Sequence, residues 1–128
     1  MTENQVDFTL LFRALGNAVL GQDEPARALF VDPTAFDGWA AEWRLRLGRE
    51  EQDAESRRLA MSQVNPAFIP RNHQVEAMIA AAVDRVEFTL FYRMLNVLSR
   101  PYEDQAGADD LARPPLPHER VAATFCGT

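Results

Sequence analysis

The sequence predicts a mainly α-helical protein of four to five helices, followed by an extended, irregular C-terminal arm. Two observations predict the helices: apolar residues recur at intervals of three and four, and 19 alanines and 13 leucines outnumber 9 valines and 2 isoleucines. A third observation, a group of prolines near the end of the chain, predicts the arm. We therefore expect a helical domain over residues 1–101 and an arm over residues 102–128.

The first half of the chain carries clear helix boundaries. An apolar stripe over residues 7–20 is followed directly by a glycine, which often ends a helix. The pair Asp32 and Pro33 predicts the next long helix, because aspartate accepts a hydrogen bond at an N-cap and proline suits the first helical position. Trp39 and Trp43 lie four residues apart on that helix, a spacing that favours core packing over ligand stacking.

The middle of the chain alternates between helices and one rigid connector. The charged stretch 49–58 is expected to be mostly solvated, with Asp53 as the cap of a helix. The connector 65–72 contains two prolines, which fix its backbone and end that helix. Two further helices follow, the first capped by Asn72 and the second ended by Pro101.

Composition excludes several classes of function. A net charge of −6 argues against nucleic-acid binding, and no apolar run approaches the ~18 residues of a membrane span. The single cysteine, Cys126, excludes an internal disulfide framework and fits a reducing compartment, so we expect a cytoplasmic protein. All 13 cationic side chains are arginine, so chemistry that needs a lysine cannot be completed by this chain.

No constellation of catalytic or metal-ligating residues is evident in the sequence. The two histidines and the cysteine lack the short spacing of a zinc site, and the serines and glycines form neither a nucleophile elbow nor a phosphate loop. The acidic residues Asp104, Asp109 and Asp110 are expected to be a solvated connector, because they lack calcium-loop spacing. We therefore expect no catalytic, cofactor-binding or metal-binding residue in this chain.

The densest local signal is a polar cluster at the end of the connector. Arg71, Asn72 and His73 are adjacent, and an arginine there offers a forked donor to a carboxylate or a phosphate. The alternative is a clamp between parts of the protein, in which the arginine and the amide satisfy carbonyl groups of a neighbouring loop. Together with Asn65, these residues are candidates for an interdomain contact.

The same region carries a family resemblance. Residues 62–73 (Ser-Gln-Val-Asn-Pro-Ala-Phe-Ile-Pro-Arg-Asn-His) resemble the "VNP…RN" connector of the selenoprotein O family, also called the YdiU family. The resemblance covers nearly the whole chain. Further landmarks match in the same order at residues 7–13, 36–39, 100–105, 113–115 and 125–128.

The resemblance implies a function that this chain alone would not complete. Members of the family are much longer proteins with a protein-kinase-like fold, which transfer AMP from ATP to protein hydroxyls with magnesium or manganese. Their ATP- and metal-binding residues lie upstream of the matched region, so we expect this chain to bind no cofactor and to be inactive alone. Only Cys126 carries over, as the family's redox-sensitive terminal thiol.

Two hypotheses about function follow. In the first, the chain is the C-terminal helical portion of a selenoprotein O-like adenylyltransferase. It would pack against an upstream kinase-like core, in the same or an adjacent polypeptide, and would meet protein substrates only through that core. In the second, it is a free-standing helical protein-interaction module. A large exposed apolar patch would favour the first hypothesis, and a closed polar surface the second.

Overall fold

A computed structural model of the protein describes residues 6–121, which divide into two compact units between Ala67 and Phe68. Helices account for 62% of these residues, and none of them lies in a strand. The predicted mainly α class is therefore confirmed. Among the described helices, none is both long and apolar enough to cross a membrane.

The first unit contains three helices of 11 to 15 residues and one helix of 4 residues. They are α1 (Phe8–Ala18), α2 (Glu24–Arg27), α3 (Pro33–Leu47) and α4 (Ala54–Val64). The carboxylate of Asp32 accepts a hydrogen bond from the backbone N–H of Thr34 at 3.0 Å, and that of Asp53 accepts one from Ser56 at 3.0 Å. These hydrogen bonds confirm both predicted N-caps. The caps could be predicted from the sequence because the interaction depends only on residues within one helical turn.

The core of the first unit lies where α1 packs against α2 and α4, and α2 against α3. Phe36 is its largest fully buried side chain. Trp39 was expected in the core but is 43% exposed. It lies three positions after Phe36 and so is turned by about 60° around the helix axis, where it stacks on Trp43 with ring centroids 5.1 Å apart. The buried core residues are Leu11, Leu15, Ala18, Ala26, Phe36 and Ala40.

One residue of the charged stretch 49–58 departs from the expectation that it is solvated. Arg57 is buried on α4, and its Nη2 donates a hydrogen bond to the carbonyl oxygen of Gln52 at 2.9 Å. The same nitrogen lies 3.5 Å from a carboxylate oxygen of Glu50. These two contacts hold the loop between α3 and α4 against the first turn of α4.

The second unit is built on two long helices and a folded-back chain. Its elements are α5 (Asn72–Arg85), α6 (Thr89–Leu98), α7 (Asp109–Ala112) and a 3-10 turn (Pro117–Glu119). α5 packs against α6. The predicted cap at Asn72 is wrong by one residue: Asn72 is the first helical residue, and Arg71 holds the cap position without a side-chain hydrogen bond.

The part of the predicted arm that is described, residues 102–121, is more structured than an extended tail. It includes α7 and the 3-10 turn, and Ala108 and Leu111 are buried. Arg93 on α6 holds this segment with two hydrogen bonds of 2.6 Å to the carboxylate of Asp110. Proline spacing predicts the irregular stretches, whereas this anchoring depends on residues distant in sequence. The domain boundary at residue 101 stays a prediction.

Candidate interaction surfaces of the second unit

The structure brings three of the four candidate contact residues together. Arg71 and His73 are buried, Asn72 is exposed, and all three line an open cleft of about 420 Å³ at the start of α5. We call it the α5 cleft; its walls are residues 69–73, Pro115, Glu119, Arg120 and Val121.

The fourth candidate, Asn65, belongs to the first unit and has a local role there. Its side-chain amide donates to the carbonyl oxygen of Met61 at 2.9 Å. Its own carbonyl oxygen accepts a hydrogen bond from Arg13 on α1 at 3.2 Å. Asn65 therefore ends α4 and joins it to α1. Its role in an interdomain contact stays a prediction.

Glu119, which lines the α5 cleft, is part of an ion pair. Arg113 donates two hydrogen bonds to the carboxylate of Glu119, at 2.6 and 2.7 Å, and the backbone N–H of Leu116 donates a third at 2.8 Å. The hydrogen bonds from Arg113 are the largest cause, and the one from this N–H group the next, of a pKa of Glu119 that is lowered from 4.5 to about 2. The carboxylate is therefore ionised and its charge is balanced by Arg113.

His73 is a neutral group in the opposite wall. Burial lowers the pKa of its imidazole below the ordinary 6.5, and the nearby Arg113 and Arg71 lower it further, while Glu119 acts in the opposite direction. Arg71 donates from Nη2 to the carbonyl oxygen of Ala112 at 2.8 Å, which attaches the start of α5 to the end of α7.

A second surface of this unit is apolar. Between α5 and α6 lies an open groove of about 400 Å³, which we call the α5–α6 groove, and it continues into a further recess of about 300 Å³. Val83 is 73% exposed in it. The helical periodicity predicts an apolar face on each of these two helices, and the part of the second unit that the structure describes supplies no layer to cover the groove between them. The groove is lined by Met78, Ile79, Ala82, Val83, Phe88, Phe91 and Tyr92.

The acidic residues considered for metal binding include one that forms an ion pair instead. Within residues 6–121, no group of three or more histidine, cysteine, aspartate or glutamate side chains is arranged to hold a metal ion. Asp110 is instead paired with Arg93, as described above. Cys126 lies outside the described residues, so its predicted redox role stays a prediction.

Sequence reasoning missed the residues that approach the α5 cleft from the C-terminal side. Glu119 and Arg120 were assigned no role, because they follow three prolines in a segment expected to be irregular. The available signal was Pro117 three residues before Arg120, since proline favours the first position of a helical turn. That signal predicts a turn, but it does not predict which element the turn contacts.

Comparison with known proteins places the chain in a family. No family model matches it. Three curated proteins named protein nucleotidyltransferase YdiU align with the whole of the chain: 53% identical over 132 residues in Rhodopseudomonas palustris strain BisB18, 54% over 129 in Bradyrhizobium diazoefficiens, and 53% over 136 in Methylorubrum extorquens. The chain belongs to the YdiU family. It spans only 26–27% of the length of these YdiU relatives. The resemblance found in the connector and the other landmarks is thereby confirmed.

Proposed function

We propose that the chain is the C-terminal helical portion of a YdiU-type protein adenylyltransferase. In this proposal it packs against a kinase-like core in the same or an adjacent polypeptide and takes no part in the chemistry itself. AMP transfer from ATP to protein hydroxyls would be carried out by that core, which would also recognise the protein substrates.

The α5–α6 groove is the observation that carries the proposal. Side chains such as Val83, Phe88 and Tyr92 expose apolar surface together, and single folded chains rarely leave such a surface uncovered. The YdiU relatives are about four times as long as this chain, which supplies an occupant: the remaining three quarters of the polypeptide. Burying these side chains would contribute roughly 25 cal/mol per Å² of apolar area removed from water.

The alternative, a free-standing interaction module, receives less support from the same surface. A module that is stable alone is expected to present a closed polar face, apart from the site that binds its partner. Here the exposed apolar side chains extend over most of two helices, α5 and α6. A surface of this extent is typical of an interface within a larger fold.

The cofactors of the family would belong to the rest of the polypeptide. Among residues 6–121 there is no acidic cluster suited to magnesium or manganese, and no lysine is present to contact phosphate groups. ATP and the metal are therefore assigned to the core. Cys126 is the one residue of this chain for which we propose a redox role.

Co-expression tests the proposal. A tagged form of this chain would be produced together with the R. palustris YdiU protein from which the aligned region has been deleted. We expect the two to co-purify, and we expect labelled AMP to be transferred to acceptor proteins only by preparations that contain the core segment. Transfer by the chain alone, or failure of the two segments to associate, would contradict the proposal.

A pair of variants shows whether the groove forms the contact. Val83→Glu places a charge in the groove, and because Val83 is largely exposed the substitution leaves the folding of the chain intact. We expect it to weaken association by about tenfold or more. Val31→Glu introduces the same charge at an equally exposed valine of the first unit and should have little effect. Equal effects of the two variants would exclude the groove as the contact.

A further inference from the structure

We infer that the α5–α6 groove receives a single amphipathic α-helix of the YdiU core, which lies along α5 and α6. This assignment rests on the function proposed above, which names the core as the partner but not the kind of segment that fills the groove. The contact surface comprises the groove and the recess that continues it, because Met78 and Phe91 line both.

The walls of the groove offer no hydrogen bonds to the backbone of a partner. They are the helices α5 and α6, whose backbone groups in the middle turns are already paired within each helix. Among the described residues that line the groove, none is charged, and Tyr92 carries the one hydroxyl group. An extended segment or a loop would therefore bury backbone N–H and C=O groups without partners, which is costly. An α-helix pairs its own backbone groups and presents only side chains.

The exposed apolar side chains are spaced for a helix that runs along α5 and α6. On the α6 side, Phe88 at the N-cap, Tyr92 and Leu95 are exposed and lie four and three positions apart. On α5, Ile79 and Val83 are exposed and lie four positions apart. Spacings of four and three follow a line close to the helix axis, which is the seam of knobs-into-holes packing. The partner helix would therefore cross α5 and α6 at a small angle.

The length of the surface sets the length of the partner helix. Along α6 the surface extends from Phe88 to Ser99, which is about 16 Å at a rise of ~1.5 Å per residue. A partner helix of about three turns covers this distance. Its inner face would carry apolar residues at helical spacing and no charged residue, because a charge buried against these walls would lack a partner.

The shape of the surface and the composition of α6 favour the core over a second copy of this chain. A pair of identical copies would set one concave groove opposite another, and two facing concave surfaces leave space unfilled. α6 is apolar around most of its circumference, which is typical of a helix buried inside a larger fold. The length of the relatives allows for such a fold, because this chain spans only 26% of the R. palustris protein.

Photo-cross-linking of the co-expressed pair tests the partner helix. In two separate forms of the chain, p-benzoylphenylalanine replaces Phe88 or Leu95, both of which are exposed, so the replacements leave the fold intact. Each form is produced with the truncated R. palustris YdiU protein described above, and mass spectrometry identifies the cross-linked residues. The two positions lie about 10 Å apart along α6.

The spacing of the cross-links distinguishes a helix from an extended segment. We expect both positions to react with one segment of the core, at residues about seven positions apart, because an α-helix rises ~1.5 Å per residue. A separation of about three positions would indicate an extended segment, which rises ~3.3 Å per residue, and would overturn the inference. Cross-links to two distant segments of the core would also overturn it.

Asp84 is the matched control position. It follows Val83 directly on α5 and is exposed, but it is turned by about 100° around the helix axis and does not line the groove. p-Benzoylphenylalanine in place of Asp84 should lose the cross-link to the segment that reacts with positions 88 and 95. Equal reaction at position 84, or cross-links to a second copy of the chain, would refute the partner helix. Co-purification without cross-links at positions 88 and 95 would refute it too but leave the proposed function standing, whereas failure to co-purify would contradict the proposed function itself.

Discussion

Phe36→Ala is the substitution that we expect to weaken the first unit most. Phe36 is fully buried, and its ring centroid lies 5.5 Å from that of Phe30. The other buried side chains of this core are leucines and alanines, which are too short to fill the vacated volume. Loss of the ring removes about 2 kcal/mol of transfer free energy. A residual cavity of about 80 Å³ adds about 2 kcal/mol, so the free energy of unfolding should fall by about 4 kcal/mol.

Urea unfolding followed by tryptophan fluorescence measures this loss. The two tryptophans of the sequence, Trp39 and Trp43, both lie on α3, so the signal reports on the first unit. Leu45→Ala is the matched control, because it also shortens an apolar side chain of α3, but Leu45 is 71% exposed. The control should change the free energy of unfolding by less than about 0.5 kcal/mol. A loss below about 1 kcal/mol for Phe36→Ala would refute the assignment of Phe36 as the centre of this core.

Three further predictions concern the second unit, and circular dichroism during urea or thermal unfolding measures each. The pKa of His73 is lowered by burial, so the unfolded chain is protonated first as the pH falls below 6.5. Stability should therefore decrease from about pH 7 to about pH 5 more steeply in the wild type than in His73→Gln. The pKa of Glu119 is lowered from 4.5 to about 2, chiefly by Arg113. The contribution of Glu119 to stability is therefore complete above pH 4.5 and is lost as the pH falls toward 2. Arg113→Gln should reduce this acid-dependent loss of stability. Val86 is 75% exposed and has a positive φ of 54°, so Val86→Asn should stabilise the unit by about 0.5–1 kcal/mol.

The helix boundaries could be predicted from the sequence wherever their cause is local. Asp32, Pro33 and Asp53 act within one turn, so their residue types suffice to predict where α3 and α4 begin. The prediction of Asn72 as the cap was wrong because asparagine also occurs inside the first turn of helices. Only the backbone conformation distinguishes the cap position from the first helical position. Local rules therefore predict that a helix begins, but leave its first residue uncertain by one.

The two surfaces could not be predicted, because they depend on which elements meet. Val83 in one helix and Phe88 and Phe91 in the next follow helical periods that predict an apolar face on each helix, but the periods do not reveal whether another layer covers those faces. The α5 cleft joins residues about 45 positions apart, such as His73 and Glu119, through the path of the segment after α6. The sequence predicted the polar cluster of Arg71, Asn72 and His73 but not the opposite wall.

The α5–α6 groove and the α5 cleft both lie on α5, but they differ in chemistry. The apolar side chains of the groove, including Met78 and Val83, lie in the middle and last turns of the helix, whereas Asn72 and His73, which line the cleft, lie in its first turn. Burial of apolar surface stabilises an association in proportion to its area. The association that we propose therefore depends on the groove and not on the start of the helix, and Val83→Glu should weaken it by about tenfold or more.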